Sequence, residues 1–67
     1  MLEYGYKEYR KNAIKNPTQE NLKILADWLL LYGDSYWNGE TWDIENGLRL
    51  RPHYNEKLED FDKYEII

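Results

Sequence analysis

The chain has 67 residues, thirteen acidic and nine basic side chains for a net charge of −4, and no cysteine. A domain of this size hides only about 60% of the surface its unfolded form exposes, and no disulfide or thiolate metal site can staple it, so packing must hold the fold. The acidic balance argues against nonspecific phosphate-backbone binding. The longest apolar run, Trp28 to Tyr32, falls far short of the roughly 20 residues of a membrane span.

Residues 2–15 predict a first helix in which Leu2, Tyr6, Tyr9 and Ala13 recur on one stripe. Lys7, Lys11 and Lys15 fall opposite, with Arg10 flanking this basic face and Tyr4 within it. Asn16-Pro17 stops the helix, because proline biases its predecessor away from helical angles. A second helix over 18–32 follows, with Thr18 as N-cap, Glu20 suited to the dipole, and Gly33 as the stop. Between Leu22 and Tyr32 only Lys23 and Asp27 are polar, so more than one side of this helix must be covered. Ile24, Leu30 and Leu31 are left over for a partner or a second copy.

After Gly33 the pattern changes to alternation. Asn46-Gly47 is a type I′ hairpin signal between Trp42 and Ile44 on one side and Leu48 and Leu50 on the other. Strands are predicted over 40–45, 48–54 and 61–67, with Pro52 implying an edge position or a bulge. Asn38-Gly39 fits either a short extra hairpin or a loop. The sum is one α+β domain over 1–67, a helical hairpin packed on a three-stranded antiparallel meander (ααβββ, two layers). Its expected core is Tyr9, Ala13, Leu22, Leu25, Leu29, Trp42, Ile44, Leu48, Leu50, Tyr64 and Ile66.

No catalytic constellation emerges. His53 stands without a nucleophile motif, and a metal there would have to recruit Asp43 or Glu56. Asp34 to Glu45 matches part of a calcium loop, with Asp34, Asn38, Gly39 and Glu45 in place, but Tyr36 and Trp42 occupy positions that need oxygen ligands. Neither a cofactor nor a resident metal is expected. A calcium- or ligand-binding minidomain stays an alternative resting on that segment alone.

Charge and aromatic content favour binding. Before Gly33 five Lys/Arg face four Asp/Glu; from Gly33 onward four face nine, so the acidity lies in the second half. Glu59, Asp60 and Asp62, with Glu40 and Asp43, would give a negative sheet surface, and Tyr36 and Trp37 would supply anchors on it. The expected partner is a protein with a basic surface, with nucleic acid and membrane not expected. The alternative is a structural or regulatory homodimer through Ile24, Leu30, Leu31 and Ile66.

In its size, acidity and aromatic richness, and in the segments Asn16-Pro17-Thr18-Gln19-Glu20-Asn21-Leu22 and Tyr36-Trp37-Asn38-Gly39, the chain resembles small acidic proteins encoded by phages and prophages. Some of these inhibit bacterial defence nucleases in the anti-CRISPR or anti-restriction manner. The resemblance implies a stoichiometric inhibitor or adaptor in the host cytoplasm, and it brings no functional residue with it.

Overall fold

The computed structural model describes the backbone of residues 2–67 and the side chains of residues 5–67. The elements run α1 (Leu2–Lys15), α2 (Gln19–Tyr32), a 3₁₀ turn (Asp34–Tyr36), β1 (Trp42–Glu45), β2 (Leu48–Asn55) and β3 (Asp60–Ile66). The strands form one antiparallel sheet in the order β1-β2-β3, so the chain is a helical hairpin on a β-meander. No helix among the described residues is long and apolar enough to cross a membrane.

Thr18 caps α2, its hydroxyl accepting from the Asn21 N–H at 3.2 Å. Leu22, Leu25, Ala26 and Leu29 bury the inner stripe of α2 against Trp42, Ile44, Leu50 and Tyr64 of the sheet. Gly33 ends the helix, as expected, and the reason is steric. Its φ of −100° is open to any residue, but a Cβ there would lie 2.6 Å from Leu29 Cδ2 and 2.8 Å from the Leu29 carbonyl oxygen. Room, and not left-handed backbone, demands glycine.

On α1 the inward residues are Tyr6 and Ala13, whereas Tyr9 is exposed. Seven residues at 100° each return within about 20° of the starting direction, so Tyr6 and Ala13 share a centre line, with Tyr9 about 60° to one flank and Arg10 about 40° to the other. Arg10 accordingly turns inward, its guanidinium 5.2 Å from the Tyr6 ring and donating to the Ile44 carbonyl at 3.3 Å. The side chains of Leu2 and Tyr4, counted above on the apolar and basic faces, lie outside the described residues. Leu48 and Ile66, expected in the core, pack at its margin.

Asn46 (φ 39°) and Gly47 (φ 90°) make the predicted two-residue turn between β1 and β2. Asn38-Gly39 closes a four-residue loop that carries a single antiparallel bridge, Trp37 to Trp42, and an Asn38 N–H to Thr41 carbonyl bond of 3.1 Å, not a hairpin of two strands. The Asn38 carboxamide oxygen accepts from the backbone N–H of both Glu40 and Thr41 at 2.9 Å, which keeps those residues out of β1. Arg49 ties this loop to β2 by donating to the Thr41 hydroxyl and to the Thr41 carbonyl.

Pro52 lies in the central strand, yet its missing donor costs no ladder bond. Arg49 and Ile67 exchange both backbone hydrogen bonds, at 2.9 and 3.0 Å, so the odd-numbered residues of β2 point their amides toward β3. Pro52, opposite Tyr64, points toward β1, whose pairing reaches only Leu50.

Candidate functional site

Eight of the described aromatic side chains fall into two clusters on opposite sides of α2 and the 3₁₀ turn. The first is a column: Tyr6 stacks on Trp28 at 4.3 Å and on Tyr36 at 5.9 Å, and Trp28 meets Tyr32 at 5.1 Å. Buried Tyr6 joins α1 to the turn after α2, and burial pushes its phenol above the usual tyrosine value, with the Arg10 guanidinium opposing. Tyr36, read from the sequence as a surface anchor, has one face engaged in this column while remaining partly exposed.

The second cluster borders a groove of about 240 Å³ lined by Leu29, Leu30, Asp34, Trp37, Trp42 and Phe61. Trp42 forms the floor, 3% exposed, and Trp37 leans on it at 4.8 Å while remaining 37% exposed. An isolated antiparallel bridge between Trp37 and Trp42 fixes this pair. Phe61 meets Trp42 edge-on and then Tyr54, extending the aromatic chain to the β2–β3 turn. Exposed Leu30 stands on the helix side. Asp34 lines the groove, and exposed Asp60 and Asp62 flank Phe61 along β3.

The seven residues expected to meet a partner are thus divided. Of these, Trp37 alone lines the groove, with Tyr36 behind it in the column; Asp60 adjoins Phe61 and Glu59 precedes it in the turn, whereas Asp62 accepts from the Asn55 side chain at 2.8 Å and lines a separate groove with His53, Lys57 and Lys63. Glu40 and Asp43 go with the outer sheet face, which is not uniformly acidic. Asp43 pairs across the strands with Arg49, Arg51 with Glu65, and His53 with Lys63. Arg51 lies 3.7 Å from Glu40 and 3.9 Å from Glu65, and His53 Nε2 is 2.9 Å from Glu65 Oε1. Strand alternation puts these cations on the same face as the acids, which a charge tally along the chain cannot register.

Asp34 and Glu45, the ends of the calcium-loop spacing, line different grooves, and no group of three or more potential metal ligands gathers among the described residues. His53 Nε2 meets Glu65, which is neither of the candidate ligands Asp43 and Glu56.

The four residues expected to join two copies do not form one patch. Ile24 and Leu31 line a shallow groove of about 310 Å³ with Tyr9, Asp27, Trp28 and Tyr32, Leu31 being 76% exposed. Leu30 belongs to the Trp37 groove, and Ile66 packs against the core. Beneath the Ile24 and Leu31 groove the buried Trp28 Nε1–H has no hydrogen-bond acceptor.

Sequence reasoning missed Gln19, which reads as an ordinary polar residue in a first helical turn. Its carboxamide reaches the backbone of Tyr64 on the outer edge of β3. It also missed Phe61 and Tyr54 as extensions of the tryptophan pair, since only the hairpin register brings them there.

Comparison with protein-family models, curated proteins and solved structures finds no match for this chain.

Proposed function

We propose that the protein is a non-enzymatic binding module, a stoichiometric inhibitor or adaptor that engages a basic surface on a nucleic-acid-processing protein through the Trp37 groove and the acids beside it. The observation that carries this reading is the Trp37–Trp42 pair. A tryptophan held against a buried tryptophan is already ordered before it meets a partner, so little side-chain entropy remains to be lost, and the apolar lining leaves a pocket for an anchoring side chain. Asp34 in the groove lining and Asp60 next to Phe61 then favour a cationic partner by steering and by register, with Glu59 and Asp62 adding to the longer-range field. The choice of a defence nuclease as that partner comes from the resemblance to phage-encoded anti-defence proteins, and the host cytoplasm would be the place of action.

Tagged protein would be used to capture partners from bacterial lysate, with the retained protein purified and titrated against wild type, Trp37→Ala, and a Glu59→Lys, Asp60→Lys, Asp62→Lys triple variant. A retained nucleic-acid-processing protein whose affinity drops at least about tenfold in both variants, with circular dichroism unchanged, supports the reading. Equal affinity for wild type and both variants overturns it.

A homodimer through Ile24 and Leu31 is the second reading, favoured by their exposure around the orphaned Trp28 Nε1–H. Sedimentation that stays monomeric at micromolar concentration rejects it.

A further inference from the structure

A third groove, of about 390 Å³, runs between α1 and the end of β1 and is lined by Lys7, Arg10, Lys11, Ile14, Lys15 and Glu45. Lys7, Lys11 and Lys15 stand on successive turns, about 6 Å apart along the axis. None of these lysines, nor Arg10, makes an ion pair among the described residues, although the chain as a whole is acidic. Ile14, half-buried, gives the groove an apolar patch amid the cations.

The complementary shape and charge occur in the same chain. The β2–β3 turn presents Leu58, 63% exposed, with Glu56, Glu59 and Asp60 outweighing the single cation Lys57 around it. Asn55 holds this turn rigid: its side-chain oxygen accepts from Lys57 N–H at 2.9 Å and from Leu58 N–H at 3.3 Å. An acidic knob with an apolar tip therefore matches a basic groove with an apolar patch. The two cannot meet within one molecule. Glu45 opposes Leu48 at the start of β2 and Asp60 opposes Asn55 at its end, seven residues apart, or about 23 Å of strand.

We propose that the α1–β1 groove receives the β2–β3 turn of a second copy, so that copies associate head to tail, with Leu58 against Ile14 and the turn's acids against Lys7, Lys11 and Lys15. Because groove and turn are different patches at opposite ends, the contact is heterologous and propagates into a ring or an open chain. A nucleic acid fits the groove less well, because Tyr6 is buried beneath Arg10 and offers no open ring for stacking. The two readings share the turn acids Glu59 and Asp60 but differ in their other half, the Trp37 groove in one and the α1 lysines in the other, so Trp37→Ala and Lys11→Glu separate them.

The full chain would be examined by sedimentation velocity in about 10 mM salt, where the Debye length is about 30 Å, and in about 150 mM, where it is about 8 Å. The expected result is a sedimentation coefficient that rises with protein concentration in low salt and falls back toward the monomer in higher salt. Lys11→Glu, Leu58→Ser and a Glu56→Lys, Glu59→Lys double variant should each sediment as monomers. A mixture of Lys11→Glu, whose turn is intact, with the Glu56, Glu59 double variant, whose groove is intact, should stop at a one-to-one pair. Lys11→Glu should still bind any captured partner, which separates failure here from failure of the partner reading. A wild-type monomer at all concentrations in low salt overturns the proposal, as does association that survives Lys11→Glu. Binding of a fluorescent single-stranded RNA at the groove, with the protein itself staying monomeric, also overturns it.

Discussion

The Gln19 carboxamide pairs with the backbone of Tyr64 as a neighbouring strand would: its oxygen accepts from Tyr64 N–H and its nitrogen donates to the Tyr64 carbonyl, each at 2.9 Å. The need for this pairing traces to the register that spares Pro52. Tyr64 lies opposite Pro52 in a non-hydrogen-bonded position, so its backbone groups point outward along the free edge of β3. A helix side chain thereby satisfies two part-buried groups and blocks the middle of an edge otherwise open to another strand.

Gln19→Ala should lower stability by about 1–3 kcal/mol for two lost hydrogen bonds, read from urea denaturation, and should speed aggregation of the folded protein. Gln19→Glu tests the geometry more sharply. At neutral pH it places a carboxylate oxygen against the Tyr64 carbonyl, so it should be the less stable of the two variants, and acidification should narrow the gap as the carboxyl regains a donor. Equal stability of Gln19→Glu and wild type at neutral pH would contradict the double pairing.

Gly33→Ala should destabilise by about 1–3 kcal/mol, because the added methyl lies 2.6 Å from the Leu29 side chain and 2.8 Å from its backbone oxygen. A left-handed cap would predict rescue by Asn; a steric requirement predicts that Gly33→Asn is at least as harmful as Gly33→Ala. Thermal melts of the two variants decide between these accounts.

Elements governed by local chemistry were legible in the sequence. Thr18 marks the start of α2 because a hydroxyl can serve the orphan N–H groups there, and Asn46-Gly47 marks a hairpin because its turn needs positive φ twice. What depends on contacts between elements was not legible. Periodicity places Tyr6 and Tyr9 on the same side of α1, and only packing against Trp28 and Tyr36 decides that Tyr6 is buried. Counting acids along the chain could not register that Arg49 and Arg51 share a sheet face with Asp43, nor that Asp62 lines a groove with Lys57 and Lys63.

Glu59 sits at φ 54° in the β2–β3 turn, a conformation that costs a residue with a Cβ about 1 kcal/mol or more. Glu59→Gly should relieve that strain against a larger loss of unfolded-chain entropy than glutamate carries, so the net change should be a gain of no more than about 1 kcal/mol. Glu59→Val, β-branched and ill suited to positive φ, should instead lose stability. Urea midpoints for the pair test the turn conformation independently of charge, since both substitutions remove the carboxylate.

The buried phenols give the fold an alkaline limit. Burial raises the Tyr6 value above its ordinary 10.0, with Arg10 opposing, and burial likewise raises Tyr64, with the Lys23 ammonium opposing. In each case the native state holds its proton more tightly than the unfolded chain. The stabilisation is therefore complete below pH 10 and is lost as pH rises from there through the native-state value, because the unfolded form ionises first. Urea midpoints should be flat up to about pH 9 and then fall. Tyr64→Phe and Tyr6→Phe keep the packed ring and remove the proton, so each should make that fall shallower, and the double variant shallower still. An alkaline slope unchanged in the double variant would assign the limit to other groups, whereas a slope reduced by Tyr64→Phe alone would place it at the sheet and not at the aromatic column.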